Sequence, residues 1–340
     1  MNVFENCILI GDALLSLKHL PDNHVHTCIT SPPYYGLRDY GVDGQLGLER
    51  TPDQYIERLV NIFREVKRVL RPDGTLWLNI ADSYAGSGKG AAAYPENAAK
   101  YKQGTNRGMV GAAKTTSVKT PPGIKPKDLI GIPWMLALAL RDDGWYLRQD
   151  IIWHKPNCMP ESVRDRCTKS HEYIFLLSKS PRYYFDYEAI KEPCVGFDKS
   201  SPRGSKGTLT PNAGRRKGNA KSFRGGGAYT SGRSHDNSAN VERETHGNAP
   251  NDTGLRNRRD VWSIATHGCK GNHFATFPPA LIEPCVLAGA PCGGIVLDPF
   301  VGSGTTAAVA KKHGRKYIGI EINKEYLPLI TERIGDCGQL

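Results

Sequence analysis

The sequence predicts an α/β domain built on a doubly wound, mostly parallel sheet. Short apolar runs rich in β-branched residues alternate with segments whose apolar residues recur at helical spacing. Strands that alternate with helices form mostly parallel sheets that are covered on both faces. The length of 340 residues allows one sizeable core with insertions.

The first half of the chain supplies a strand and a long helix. The run Val-His-Thr-Cys-Ile-Thr at residues 25–30 predicts a buried strand, which two prolines end. The sequence Thr-Pro-Asp-Gln at 51–54 is a capping box with proline at the first helical position, so we expect a helix to begin there. Its apolar stripe indicates a core face and not a cofactor site: Ile56, Leu59, Val60, Phe63, Val66 and Leu70.

The later elements continue the alternation. Their patterns predict a helix at about 132–141 and another at 306–312, with strands at 75–80, 146–153, 172–177, 294–298 and 317–321. Ligands of such sheets bind at the carboxyl ends of the strands. The loop after residue 30 and the loop after residue 298 should both emerge there.

The loop Ser31-Pro32-Pro33-Tyr34 directly follows the first of these strands. Proline has a fixed φ and no N–H, so the carbonyls of Ser31 and Pro32 lack a ladder partner and can accept hydrogen bonds from a ligand. The exocyclic amine of a nucleobase needs such acceptors. Ser31 Oγ is a further acceptor, and Tyr34 offers a face on which an extruded base can stack. The alternative is a polyproline turn with a packing tyrosine.

A glycine-rich motif lies near the C-terminus and runs Asp298-Pro299-Phe300-Val301-Gly302-Ser303-Gly304-Thr305-Thr306. Its Gly-x-Gly lets a ligand approach the backbone, and Glu321, at the end of the next strand, is placed to accept both ribose hydroxyls of an adenosine. A dinucleotide site is the competing interpretation. The third glycine of that fingerprint is missing, however, and Asp298 would repel a pyrophosphate. The glycines around Lys89 do not form a Walker loop, because the spacing and the following hydroxyl residue are absent.

With these two motifs in this order, the sequence resembles the DNA amino-methyltransferases of the β class, whose catalytic motif precedes their S-adenosylmethionine motif. The resemblance covers nearly all of the chain except two basic inserts. Further matching segments lie at 11–14, 69–76, 153–157 and 273–278. The family implies the S-adenosylmethionine-dependent methyltransferase fold with permuted motif order.

The resemblance also implies a reaction, the transfer of a methyl group from S-adenosylmethionine to an exocyclic nitrogen of a base flipped out of double-stranded DNA. It assigns catalysis to Ser31, Pro32, Pro33 and Tyr34. It assigns cofactor binding to Asp12, near the adenine, and to Asp298, Phe300, Gly302, Gly304, Thr305 and Glu321. Family members with serine first in the catalytic loop are mostly similar to cytosine-N4 enzymes, so cytosine-N4 is favoured and adenine-N6 is the alternative.

Two other classes of function stay open. A non-catalytic DNA-binding protein of the same fold would not need the two intact loops, since neither is required for phosphate contact. An RNA methyltransferase has no support from an aromatic RNA-platform motif. The expected partner is double-stranded DNA. A cognate restriction endonuclease acting on the same site is a candidate second partner, and a solitary or phage-borne methyltransferase without one is the alternative.

Basic charge is concentrated in two segments rich in small polar residues. Residues 86–127 carry a net charge of +7 and residues 196–259 a net charge of +8, against +11 for the whole chain. Neither segment can build much core, so we expect both to be largely disordered loops in the free protein. Their basic residues should become functional by binding a polyanion. Together with these inserts, the resemblance implies a catalytic half at 1–85 and 128–195, a basic insert at 86–127, a target-recognition region at 196–260 and a cofactor-binding half at 261–340.

Two clusters in the target-recognition region are predicted to neutralise DNA phosphates: Arg215, Arg216 and Lys217, and Arg256, Arg258 and Arg259. Such contacts release counterions and make affinity strongly salt-dependent. Arginine and asparagine side chains in this region are also suited to reading guanine and adenine edges.

The sequence predicts neither a metal site nor a membrane span. Its nine cysteines form no Cys-x-x-Cys pair, and His267, Cys269 and His273 have no evident fourth ligand. No stretch approaches the ~20 apolar residues of a membrane span, and the N-terminus lacks a signal-peptide pattern. We therefore expect a cytoplasmic protein.

Overall fold

The computed structural model describes residues 4–37, 41–86, 120–194, 254–266, 277–335 and 338–339. The strands in these ranges are β1 (Cys7–Ile10), β2 (Val25–Thr30), β3 (Leu70–Ile80), β4 (Tyr146–His154), β5 (His171–Ser178), β6 (Glu192–Pro193), β7 (Leu255–Arg256), β8 (Val261–Ser263), β9 (Ile295–Asp298), β10 (Lys316–Glu321) and β11 (Gly338–Gln339). The helices are α1 (Ala13–Lys18), α2 (Pro52–Val69), α3 (Ile132–Asp142), α4 (Pro279–Gly289), α5 (Thr305–Lys312) and α6 (Leu327–Ile334), with a 3-10 turn at Lys324–Tyr326.

Nine of the described strands form one sheet in the order β11-β1-β10-β9-β2-β3-β5-β4-β8. The strands from β11 to β3 are mutually parallel. Strand β5 is antiparallel to both of its neighbours, β3 and β4. The prediction of a mostly parallel α/β sheet is confirmed, and β5 makes the sheet mixed.

Helix α2 begins at the predicted capping box. Thr51 accepts a hydrogen bond from the Gln54 N–H at 3.3 Å, and Pro52 occupies the first turn. Most of the predicted stripe is buried on this helix, but Leu70 was placed on the wrong element. It begins β3, which is longer than the predicted strand at 75–80, because the backbone turns to an extended conformation there.

The core lies on both faces of the sheet, as the alternation of strands and helices predicts. Successive side chains of a strand point to opposite faces. Leu76 and Leu78 of β3 pack in the cluster that includes the buried residues of α1, α2 and α3. Trp77, between them, packs in the other cluster, with the buried residues of α4, α5 and α6.

The chain divides into two compact units. One comprises Met1–Ile190 together with Arg258–Leu340, and the other comprises Lys191–Asn257. The large sheet belongs to the first unit. In the second unit, β6 pairs antiparallel with β7, and Arg256 Nε lies 2.9 Å from Glu192 Oε1. Much of the predicted insert at 86–127 and of the predicted target-recognition region lies outside the described residues.

In the part of the chain that the structure describes, no helix is long and apolar enough to cross a membrane.

Candidate active site

The two predicted loops emerge side by side because β2 and β9 are neighbouring parallel strands. Thr27 pairs with Val296 and Cys28 with Leu297. Just beyond this pairing, Thr30 Oγ1 donates a 2.6 Å hydrogen bond to Asp298 Oδ1. Carboxyl ends of adjacent parallel strands share one edge of the sheet, so motifs 268 positions apart become neighbours.

Both loops line one cavity of about 400 Å³. Most of the predicted catalytic and cofactor residues lie on its wall: Asp12, Ser31, Pro32, Pro33, Tyr34, Phe300, Gly302, Thr305 and Glu321. Further wall residues, to which the sequence analysis gave no site role, come from strands as well as loops, among them Gly44, Gln45, Leu46, Asn79, Trp153, Lys155, Glu172, Phe277, Asn323 and Tyr326. The volume lies in the range of small-molecule sites.

The Glu321 carboxylate is buried at the end of β10 and is held by backbone donors. The Gly302 N–H donates to Oε2 at 2.9 Å and the Asn323 N–H donates to Oε1 at 2.8 Å. Burial raises the pKa of Glu321 to about 7, although these hydrogen bonds oppose the shift. Each carboxylate oxygen has a second lone pair, so the group can accept both hydroxyls of a diol.

Asp298 and Gly304, which were predicted to bind the cofactor, do not line the cavity. The Asp298 carboxylate is buried and accepts three hydrogen bonds, from Thr30 Oγ1, Thr306 Oγ1 and the Phe300 N–H. Burial raises its pKa to about 6, with the hydrogen bonds opposing the shift. Asp298 therefore holds the glycine-rich loop from outside the cavity, through its hydrogen bonds with the Phe300 N–H and Thr306 Oγ1. Gly304 has a φ of +81° and precedes α5, a conformation that glycine adopts at low cost.

Asp12 both caps a helix and lines the cavity. Its side chain caps α1 by accepting a hydrogen bond from the Leu15 N–H at 2.9 Å, and it also lines the cavity. The carboxylate therefore stands at the carboxyl end of β1, next to β10 in the sheet.

The Tyr34 hydroxyl lies at the centre of a polar cluster in the cavity wall. It donates to Glu172 Oε2 at 2.7 Å and lies 3.2 Å from Asn79 Oδ1. Ser31 Oγ donates to the same phenol oxygen at 3.4 Å. Burial, followed by the neighbouring Glu172 carboxylate, raises the pKa of Tyr34 well above its ordinary value, so the phenol stays protonated.

The Ser31–Tyr34 loop and the residues after it are held by hydrogen bonds from other parts of the fold. The Tyr55 hydroxyl, on α2, donates to the Pro33 carbonyl at 2.7 Å, and the Gly36 N–H donates to the Gly47 carbonyl at 2.7 Å. Gly47 has a φ of +94°, and a Cβ there would lie 2.8 Å from the Tyr34 carbonyl oxygen. This close approach requires glycine.

A family model described as DNA methylase, of the N6 and N4 methyltransferase type, matches residues 25–332. The chain belongs to this DNA methylase family. Two similar proteins are Type II methyltransferases. M.SmaI from Serratia marcescens is 45% identical over 328 residues, which cover 96% of this chain and 90% of that protein. M.Cfr9I from Citrobacter freundii is 44% identical over 324 residues, covering 95% and 86% respectively.

Solved structures share the fold of this DNA methylase. The PvuII DNA methyltransferase, which is cytosine-N4-specific, matches with a TM-score of 0.58 at 17% identity, covering 97% of this chain and 86% of that one. A candidate DNA modification methylase from Thermus thermophilus, complexed with S-adenosyl-L-methionine, matches with a TM-score of 0.53 at 19% identity, covering 98% and 96%. At these identities the likeness shows the fold. The family predicted from the two loops is confirmed.

Glu172 and Asn79 line the cavity of the methylase, but the sequence analysis gave neither of them a site role. Glu172 begins the strand predicted at 172–177, and the direction of that strand in the mostly parallel sheet was not predicted. Because β5 runs antiparallel to β3, with Tyr173 opposite Ile80, the start of β5 lies at the carboxyl end of β3. Asn79 carried a signal that was available in the sequence, since it is a polar residue within the apolar run of β3.

The described DNA-contact candidates of the methylase have partners within the protein. Arg256 pairs with Glu192 at 2.9 Å, and the Arg258 guanidinium lies 4.7 Å from the centre of the Trp262 ring. The backbone carbonyl of Arg259 accepts a hydrogen bond from Trp262 Nε1, and its side chain is exposed. The cluster Arg215, Arg216 and Lys217 lies outside the described residues.

The described residues contain no group of three or more histidine, cysteine, aspartate or glutamate side chains that could hold a metal ion. The residues His267, Cys269 and His273 lie outside the described ranges.

Proposed function

We propose that this DNA methyltransferase transfers a methyl group from S-adenosylmethionine to the exocyclic N4 of cytosine in double-stranded DNA. The observation that carries the proposal is the meeting of the Ser31–Tyr34 loop and the glycine-rich loop in one cavity. A second support is the family to which the chain belongs.

The cavity wall fits the cofactor in chemical terms. Glu321 offers two carboxylate oxygens that are already fixed by backbone donors, which suits a ribose diol. Phe300 and Tyr326 supply aromatic surface on the same wall, and Asp12 supplies a carboxylate near the end of β1. When bound, S-adenosylmethionine supplies an electrophilic methyl group on a sulfonium. A cation of this kind is attracted to an aromatic face, for which Phe300 is the candidate.

The catalytic loop is suited to holding an amine. Among the described residues, no hydrogen-bond donor pairs with the Pro32 carbonyl, and Ser31 Oγ lines the same cavity. Ser31 Oγ and the Pro32 carbonyl accept the two amine hydrogens, which aims the nitrogen lone pair at the methyl group. Alignment of this kind accounts for much of the rate enhancement.

The same two oxygens stabilise the charge that develops during transfer. As the nitrogen–carbon bond forms, the sulfur–carbon bond breaks and the nitrogen becomes positively charged. Preorganised acceptors stabilise that charge without reorganisation. The methylated nitrogen then loses its extra proton to water or to Ser31, so no strong base is required.

Cytosine-N4 is preferred over adenine-N6 because the first residue of the loop is a serine. Its neutral hydroxyl is suited to the amine of cytosine beside the basic N3, whereas a carboxylate or amide at this position is a stronger acceptor for the adenine amine. Adenine-N6 transfer is the alternative outcome of the test. The similarity to Type II methyltransferases supports a further proposal, that the enzyme protects DNA from a cognate restriction endonuclease with the same recognition site.

Replacing Tyr34 by alanine tests whether this loop performs the transfer. The Tyr34→Ala protein should lose methyl transfer to unmethylated DNA while its affinity for S-adenosylmethionine, measured by calorimetry, stays within about twofold of the native value. Tyr183→Phe is the matched control, since the Tyr183 hydroxyl contacts Arg148 and does not line the cavity. Full activity of Tyr34→Ala would refute base stacking on this ring, and a native protein that binds DNA without turnover would favour the non-catalytic alternative.

A further inference from the structure

We propose that Glu172 is a positioning residue for methyl transfer, which acts through Tyr34 and sets the direction of the hydrogen bonds that reach Ser31. The inference rests on the proposed function, because it gives Glu172 a task within that reaction. Glu172 itself need not contact the target base for this task.

The contact between Tyr34 and Glu172 decides where the phenol proton points. The hydroxyl has one hydrogen and two candidate acceptors, Glu172 Oε2 at 2.7 Å and Asn79 Oδ1 at 3.2 Å. The carboxylate is both the closer and the stronger acceptor, since hydrogen bonds to ionised groups are about twice as strong as neutral ones. The phenol therefore donates to Glu172.

The Glu172 carboxylate is itself held in place. Asn79 Nδ2 donates to Oε2 at 3.2 Å, and its second donor hydrogen reaches the Tyr173 carbonyl at 3.2 Å. The other oxygen, Oε1, pairs with Lys155 Nζ, which lies 4.2 Å from the centre of the Trp153 ring. Only 13% of the Glu172 side chain is exposed. The carboxylate thus has fixed partners on both oxygens and provides a rigid anchor for Tyr34.

The direction of these bonds determines what Ser31 can do. A carboxylate only accepts hydrogen bonds. With its proton committed to Glu172, the Tyr34 oxygen is an acceptor, and Ser31 Oγ donates to it at 3.4 Å. The Ser31 hydroxyl proton then points away from the substrate, and the oxygen lone pairs are left to accept the amine hydrogen.

A neutral group in place of Glu172 would lose this control. An amide can donate as well as accept, so the hydrogen bonds between Ser31, Tyr34 and residue 172 could run in either direction. In the reversed direction the Ser31 hydroxyl proton would face the substrate amine and oppose binding of the amine hydrogen. The same carboxylate fixes the tip of the Tyr34 ring, and with it the plane on which the base stacks.

Two conservative variants, Tyr34→Phe and Glu172→Gln, test the proposal in the full chain. Tyr34→Phe retains the aromatic ring and leaves the Glu172–Lys155 ion pair intact. The result for this variant is therefore free of any loss of stability from an unpaired Lys155. The matched controls are Tyr183→Phe and Glu283→Gln. The Tyr183 hydroxyl pairs with Arg148, and the Glu283 carboxylate pairs with Lys312 and His313. Neither Tyr183 nor Glu283 lines the cavity. The measured quantities are the single-turnover methylation rate and the dissociation constants for DNA and S-adenosylmethionine.

Each test variant should lower the single-turnover rate about 10- to 100-fold, the scale of one lost charge-assisted hydrogen bond. Both dissociation constants should stay within about twofold, which separates positioning from a general loss of structure. The double variant should be no slower than the slower single variant, because both changes break one contact. The controls should keep the native rate.

Three results would overturn the proposal while leaving the proposed function intact. They are a native rate for either Tyr34→Phe or Glu172→Gln, rate losses that multiply in the double variant, and a loss that appears in the dissociation constants instead of the rate. A native protein that methylates no base in DNA would refute the proposed function and this inference together. Methylation of adenine would leave the test of Glu172 unchanged.

Discussion

The hydrogen bond from Thr30 Oγ1 to Asp298 Oδ1, 2.6 Å long, joins the strand that leads into the Ser31–Tyr34 loop to the strand that leads into the glycine-rich loop. The other Asp298 oxygen accepts a hydrogen bond from Thr306 Oγ1 at 2.7 Å, at the start of α5. One buried carboxylate thus fixes the strand ends that precede both loops. The relative position of methyl donor and acceptor in the proposed reaction depends on this link.

Replacing Asp298 by alanine should therefore affect both stability and cofactor binding. The change leaves the hydroxyls of Thr30 and Thr306 and the Phe300 N–H without their acceptor, which costs about 1–3 kcal/mol for a buried unpaired group. Affinity for S-adenosylmethionine should fall as well, although Asp298 does not line the cavity. Asp142→Ala, at an exposed position of α3, is the control. If the free energy of unfolding and the calorimetric dissociation constant for S-adenosylmethionine of Asp298→Ala equal the native values, the link is dispensable.

Cofactor affinity should depend on pH through Glu321. Its raised pKa, about 7, means that the carboxyl is protonated below neutrality and ionised above it. Because the ionised form is the better acceptor for the ribose hydroxyls, binding favours that form, and affinity should rise up to about tenfold from pH 6 to pH 8. Calorimetry in buffers of different ionisation enthalpy should also detect proton release near pH 7. Glu321→Gln should bind more weakly and lose this pH dependence; a variant with the native pH profile would contradict the assignment.

Gly47 offers a test of how the Ser31–Tyr34 loop is supported. Alanine at Gly47 or at Gly293 meets the same backbone strain, since φ is +94° and +76°. This backbone strain should lower the free energy of unfolding of each variant by about 1–2 kcal/mol, before any steric contact of the new Cβ is counted. A Cβ at position 293 has no heavy atom within 4 Å, whereas one at position 47 lies 2.8 Å from the Tyr34 carbonyl oxygen.

Only Gly47→Ala should therefore also slow methyl transfer, by about tenfold or more, because a displacement of the reacting groups by about 1 Å is costly. Steady-state rates of the two purified variants, compared at equal folded fraction, provide the measurement. Equal activities would show that Tyr34 tolerates the displacement.

The basic cluster Arg215, Arg216 and Lys217 should contribute to DNA affinity without regard to sequence. Replacing all three by alanine should reduce the slope of log affinity against log salt concentration by about 2 to 3, since each phosphate contact contributes about 0.9. Arg64→Ala is a control for a lost surface charge, because Arg64 pairs with Asp143. A slope equal to that of the native protein in a filter-binding titration would remove the cluster from the DNA interface.

The sequence predicted those parts of the site that depend on local chemistry. The strand at 25–30, the capping box at Thr51 and the two loops were all recognisable, since prolines, glycines and β-branched residues restrict the backbone locally. Pairing direction is a long-range property, and the antiparallel course of β5 was not predicted. Glu172 was missed for that reason. The tasks of Gly47 and Asp298 likewise depend on contacts made across the fold, which no local pattern specifies.

The most direct test of the central claim is nucleoside mass spectrometry of unmethylated DNA after incubation with the protein and isotopically labelled S-adenosylmethionine, with Tyr34→Ala as the control. We predict labelled N4-methylcytosine with the native protein and none with the variant. Labelled N6-methyladenine would keep the fold, the cofactor and the loop but contradict the inference from Ser31. The absence of label from every base would contradict the assignment of methyl transfer to DNA.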